Sequence, residues 1–109
     1  MTGIKQIQLT VTPAATTILD LSSSNNFYMV LNQNVIFSLT NISNNVGASG
    51  YIMMQQDATG GRTFTLSAQM KTPLGRTIAQ ETGSNTLSMI TYYVVSSTIV
   101  VINYLGSFS

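Results

Sequence analysis

The chain has 109 residues, a net charge of +1 and 6% charged residues, and it contains neither cysteine nor histidine. The missing side chains exclude a disulfide framework, a thiolate metal site, a cysteine nucleophile and catalysis by histidine. Its four cations are too scattered for a nucleic-acid-binding patch, and no segment reaches the roughly 20 apolar residues of a membrane-spanning helix.

Apolar residues recur at every second position, which is the spacing of half-buried β-strands. Ile7, Leu9 and Val11 alternate with polar residues in the first strand, and Pro13 ends it because proline cannot donate to a strand ladder. Further strands are predicted at 16–21, 27–31, 35–40, 51–56, 62–66, 86–95 and 98–105.

Short polar links separate these strands. Residues 32–34 have the length of a hairpin loop, residues 57–61 form a tight turn, and Ser96 and Ser97 join the last two strands. The region 67–84 is irregular, with at most one or two short strands. The pattern predicts an all-β fold, an antiparallel β-sandwich or jelly-roll-like barrel of about eight or nine short strands. We expect one domain over 1–109, with 1–12 as a possible N-terminal arm or exchanged strand.

The carboxylates do not form a catalytic pair in the sequence pattern. Asp20 lies in a strand, Asp57 in a turn and Glu81 in the irregular region, whereas acid–base catalysis by carboxylates needs two of them in one pocket. We therefore expect no enzyme activity, no metal site and no cofactor.

The turn after residue 56 is the most distinctive local feature. Asp57 is expected to accept hydrogen bonds from the backbone two and three residues on, and Gly60 and Gly61 supply backbone of positive φ. Arg62 is placed to pair with Asp57 or to reach a neighbouring subunit. We interpret Asp57, Thr59, Gly60, Gly61 and Arg62 as a structural turn, with ligand recognition by an exposed loop as the alternative.

The scarcity of charge predicts a surface that is covered in an assembly. Thr, Ser, Asn and Gln make up 44 of the 109 residues, so little electrostatic repulsion keeps molecules apart. Outward-pointing tyrosines are common interface anchors, and they also suit stacking on a sugar ring. The candidate interface residues are Ile4, Ile7, Leu9, Val11, Tyr28 and Tyr93.

The segment Gln56–Phe64, with the letters QDATGGRTF, resembles a segment of structural proteins of tailed bacteriophages. The strand Phe37–Asn41 resembles the F-x-L-x-N strand that precedes this segment in the family. The strand 88–94 and the end of the chain, 104–109, are also similar, and the resemblance covers about residues 18 to 109. The chain departs from the pattern at 71–75, where family members often have a stretch rich in tryptophan or glycine, because it contains no tryptophan.

The resemblance implies a virion β-sandwich domain. The first expectation is a capsid decoration (cement) protein on the capsid surface, assembled in the host cytoplasm, whose partners are the major capsid protein and copies of itself in a homotrimer. The alternative is a tail fibre, knob or baseplate appendage module that binds a host receptor or glycan. Its ligand residues would then lie in 41–50 and 70–81. Neither interpretation involves nucleic acid or a membrane.

Overall fold

Nine β-strands form almost all of the regular structure in the computed structural model, which describes residues 8–108. Two short 3-10 turns, Ser43–Asn45 and Pro73–Gly75, lie in the loops. The strands are β1 (Gln8–Thr10), β2 (Thr16–Asp20), β3 (Asn26–Leu31), β4 (Val35–Thr40), β5 (Ser49–Gln56), β6 (Phe64–Thr65), β7 (Met70–Lys71), β8 (Leu87–Val94) and β9 (Val100–Phe108). No helix within residues 8–108 is long and apolar enough to cross a membrane.

The strands form two sheets that enclose one hydrophobic core. The larger sheet has the order β1-β3-β5-β8-β9-β7, and the smaller has the order β2-β4-β6. Alternate side chains of each strand point inward, so that Phe27 and Ile90 of the larger sheet and Phe37 of the smaller are fully buried. This arrangement confirms the predicted all-β sandwich and its strand number.

The expected antiparallel pairing is wrong for most of the sandwich. Within residues 8–108, five of the seven strand pairs are parallel, and only β5–β8 and β8–β9 are antiparallel. From β1 to β6 the chain passes back and forth between the sheets. The strands β3, β4, β5 and β6 therefore each pair in parallel with the strand two positions earlier in the chain.

The link at residues 32–34 shows why β3 and β4 do not form the predicted hairpin. Leu31 at the end of β3 and Val35 at the start of β4 are both buried, and they lie in opposite sheets. Four Cα steps of roughly 3.5 Å are enough to cross the ~10 Å between packed sheets. The loop length and its asparagines therefore suit a crossing as well as a hairpin.

The turn at 57–61 makes the same kind of crossing from β5 to β6. The predicted return strand at 62–66 is reduced to Phe64–Thr65, which pairs with β4 in the smaller sheet. On the open side of β6, the Gln80 amide accepts from the Phe64 N–H at 2.9 Å and donates to the Phe64 carbonyl at 2.8 Å. A side chain thus replaces the next strand of the smaller sheet.

The C-terminal hairpin agrees with the sequence prediction. β8 and β9 pair antiparallel along almost their whole length, with a register shift at Leu87/Ser88. The adjacent aromatic residues alternate as expected, because Tyr92 is buried while Tyr93 is exposed. The outward face of this hairpin forms part of the candidate site.

Candidate functional site

The turn after β5 is built by its own hydrogen bonds. The Asp57 carboxylate accepts from the N–H of Thr59 at 3.1 Å and of Gly60 at 2.9 Å, and the Arg62 guanidinium lies 3.2 Å from it. The Gly60 N–H bond, followed by the Arg62 bond and charge, lowers the pKa of Asp57 below its ordinary value. Both oxygens of the Asp57 carboxylate therefore form hydrogen bonds within the turn.

A neighbouring glutamine holds the other side of the turn, and the sequence reasoning did not assign it a role. The Gln56 amide donates to the Arg62 carbonyl at 2.7 Å and accepts from the Arg62 N–H at 3.0 Å. A Cβ on Gly60 would lie 2.7 Å from the Thr82 carbonyl oxygen, and Gly61 donates to that oxygen. These contacts fasten the turn to the segment before β8 and favour a structural role.

The three carboxylates offer no shared site. Asp20 accepts from the Asn41 amide at 2.6 Å and from the Ser22 N–H at 2.9 Å, and these bonds lower its pKa. Glu81 is exposed in the loop before β8. Among residues 8–108 there is no group of three or more acidic, histidine or cysteine side chains that could hold a metal ion.

A shallow groove of about 440 Å³ lies on the outward face of the β8–β9 hairpin. Its outward-facing floor comes from two cross-strand pairs, Thr91 with Asn103 and Tyr93 with Val101. A second depression of about 330 Å³ shares Pro73 and Asn103 with the first. We call the two together the Tyr93 groove. Its lining residues are Ser49, Thr72, Pro73, Arg76, Thr77, Ile78, Ala79, Thr91, Tyr92, Tyr93, Val101, Ile102, Asn103 and Tyr104.

The lining of the Tyr93 groove is mainly apolar, carries a few polar side chains and contains no acidic group. The Tyr93 side chain is 49% exposed, and the Asn103 side chain makes no hydrogen bond with any part of the chain that the structure describes. Arg76, also exposed, is the one charged side chain of the lining, and it forms no ion pair within residues 8–108. The groove therefore offers an aromatic face, an amide and a guanidinium to a ligand.

The loop that walls the groove has a strained tip. Leu74 has φ 56°, a left-handed conformation that costs an ordinary residue about 1 kcal/mol or more, and it is 86% exposed. The Thr72 hydroxyl donates to the Arg76 carbonyl at 2.7 Å and closes the base of the loop. Strained, closed loops beside a groove are common at binding sites.

The four predicted interface residues that the structure describes, Leu9, Val11, Tyr28 and Tyr93, lie on different faces of the sandwich. Ile4 and Ile7 lie outside the described residues. Leu9 pairs with buried Phe27 on the inward side of the edge strand β1 but is 40% exposed, whereas Val11 packs against the core. Tyr28 and Tyr93 lie on the outward face of the larger sheet, and Tyr93 belongs to the groove.

The sequence reasoning missed Thr91 and Asn103 as site residues. The predicted C-terminal hairpin is the sequence signal that could have identified these two residues. In an antiparallel hairpin joined near 96–97, alternation places Thr91, Tyr93, Val101 and Asn103 on one face, as the observed register has them. The contribution of Pro73 and Arg76 could not be read in this way, because their loop packs on the hairpin only in the folded chain.

A family model described as "Putative phage tail fibre C-terminal domain" matches residues 11–96. The chain belongs to this family. It is thus a structural domain of a phage virion, and the family favours the tail over the capsid surface. Searches of curated proteins and of solved structures give no significant match.

Proposed function

We propose that this chain is a tail-fibre domain that binds carbohydrate on the host surface through the Tyr93 groove. The family match supports a place in the tail, and no observation supports capsid decoration or contact with the major capsid protein. The single observation that carries the binding role is the exposed Tyr93 ring in a groove without acidic side chains.

The ring of Tyr93 provides the apolar contact that a sugar needs. One face of a pyranose carries C–H groups and packs on an aromatic ring, whose π-face is electron-rich. Val101 lies directly opposite Tyr93 in the hairpin and extends this apolar floor. A single ring on a shallow floor suits one or two sugar units of a repeating polymer.

The polar groups around the ring match the hydroxyls of a sugar. The Asn103 amide both donates and accepts, and so does the Ser49 hydroxyl, while the Thr91 hydroxyl donates to the Asn103 carbonyl at 3.5 Å and keeps its accepting capacity. Arg76, in the adjoining depression, adds a cation for an acidic substituent such as a uronate or phosphate. The groove thus fits neutral surface glycans, with added affinity for acidic ones.

Binding of the purified chain to host cells and to a glycan array tests the proposal. We expect Tyr93→Ala to weaken binding at least tenfold, because the stacking contact is lost. Asn103→Ala should weaken it by a smaller factor. Arg76→Ala should reduce binding of acidic glycans more than that of neutral ones.

The matched control is Tyr51→Ala. Tyr51 also lies on the outward face of the larger sheet, next to Thr91, but it does not line the groove. Its loss should leave binding within about twofold of the parent. Equal losses for Tyr51→Ala and Tyr93→Ala, or no binding to any host surface by the parent chain, would contradict the proposal.

A further inference from the structure

The outward face of the larger sheet carries an apolar band on the half away from the Tyr93 groove. We define the apolar band as seven side chains contributed by four neighbouring strands. Its members are Tyr28, Val30, Met53, Leu87, Met89, Leu105 and Phe108.

The strand register makes the band continuous. One row runs across the sheet through Tyr28, Met53, Met89 and Leu105, each paired with the next. The row beside it pairs Leu87 with Phe108. Side chains opposite each other in a sheet lie about 5 Å apart, so these residues form one surface rather than scattered exposed positions.

The band contains no charged group, and one polar side chain, Gln55, lies inside its second row between Val30 and Leu87. The Tyr28 hydroxyl donates to the Gln55 amide oxygen at 2.9 Å, so covering the ring leaves no unsatisfied hydroxyl. Among the described residues on the strands of this sheet, Lys71 is the only charged one, and it lies on the edge strand β7. Two such bands can therefore meet without repulsion between like charges.

The size of the face suits a protein partner. The six strands of the larger sheet have 36 residues in all, and at ~3.3 Å per residue and ~4.8 Å per strand the whole outward face, the groove included, covers roughly 570 Å². A standard interface buries about 800 Å² on each partner, with an apolar centre and a polar rim. The band supplies such a centre, and the Tyr51 position beside it supplies part of such a rim.

We propose that the apolar band is the surface through which copies of this chain associate. A second copy is the occupant that the charge pattern favours, because an uncharged apolar face is complementary to itself. This proposal does not depend on carbohydrate binding, since the groove residues lie on the other half of the hairpin. Closed dimers and trimers both bring the bands together.

Sedimentation velocity over a concentration series tests this surface with two matched substitutions, Leu105→Lys and Ile36→Lys. Leu105 is 39% exposed within the band, whereas Ile36 is 51% exposed on the outward face of the smaller sheet. We expect the parent chain to associate, Leu105→Lys to weaken association at least tenfold, and Ile36→Lys to change it less than twofold.

A second substitution in the apolar band, Val30→Lys, keeps the test valid if the Leu105→Lys variant does not fold. Val30 is 42% exposed on β3, and far-ultraviolet circular dichroism and thermal melts establish that each variant is folded. A parent chain that stays monomeric at high concentration would overturn the proposal. So would folded Leu105→Lys and Val30→Lys variants that associate like the parent, or an Ile36→Lys variant that dissociates.

Discussion

The outward faces of the two sheets differ sharply although the sheets share one core. The larger sheet carries the apolar band, while the smaller presents mainly short polar side chains of β2, β4 and β6 beside Ile18 and Ile36. Strand propensity is similar in both, so the formation of strands does not require the difference. Apart from exposed Ile18 and Ile36, the outward face of the smaller sheet is polar mainly through hydroxyl groups, whereas the apolar band of the larger sheet has few polar groups.

The largest effect should come from the shared interior. Phe27 of the larger sheet and Phe37 of the smaller are both fully buried. Replacing either with alanine should cost about 3–5 kcal/mol of unfolding free energy, through lost burial and a cavity. Urea unfolding at one fixed protein concentration measures both. Similar costs would show that the two sheets contribute equally to one core, and a cost below about 1 kcal/mol for either residue would contradict a shared core.

The next effect concerns the turn that carries the chain from the larger sheet to the smaller. Gly60→Ala should cost about 3 kcal/mol, because it adds strain at φ 73° and a Cβ close to the backbone of residues 82–84. Gly61→Ala should cost only about 1 kcal/mol, since φ is 76° but no atom lies within 4 Å of the new Cβ. Thermal or urea unfolding of the pair tests this. Equal costs would mean that the contact with residues 82–84 is unimportant.

A moderate pH effect should arise in the larger sheet. Burial raises the pKa of Tyr92 to about 12 from an ordinary value of 10. The unfolded chain therefore releases this proton first, and stability is complete below pH 10 and falls as the pH rises from 10 towards 12. Unfolding measured across this range should show a slope that Tyr92→Phe reduces. The slope would persist unchanged in the variant if other groups caused it.

The smallest effect should appear in acid, with one carboxylate at each sheet. Hydrogen bonds hold the pKa values of Asp20, at the end of β2, and Asp57, after β5, below the ordinary 3.8. A lowered folded pKa stabilises the protein above the unfolded pKa, and this stabilisation is lost as the pH falls below about 4. Asp20→Asn and Asp57→Asn should each flatten the fall in melting temperature between pH 4 and 2. An unchanged profile in both would contradict the assignment.

The sequence was informative where structure depends on local alternation. The strands β2 to β5, the C-terminal hairpin and the burial of Tyr92 beside exposed Tyr93 follow from a period of two, whereas β6 is shorter than predicted and β7 lies in the region predicted to be irregular. The pairing of β3 with β5 could not be predicted in this way. A three-residue link fits both a hairpin and a crossing between sheets, and only the packing of Leu31 against the opposite sheet decides.

The site was predictable in part for a similar physical reason. Alternation predicts that Tyr93 points outward, because it follows the inward-pointing Tyr92. The tail interpretation also predicts ligand residues in the irregular region 70–81. The amide pairs of Gln56 and Gln80 with backbone groups were not visible, because each joins segments that meet only after folding.

Cross-linking through single cysteines tests the central difference between the two faces most directly, because the chain has no cysteine of its own. Met53→Cys places a thiol in the apolar band, and Ile36→Cys places one on the outward face of the smaller sheet. With a short bismaleimide, Met53→Cys should give covalently linked copies in high yield and Ile36→Cys should give almost none. Equal yields from the two, or linkage through Ile36→Cys alone, would contradict the account.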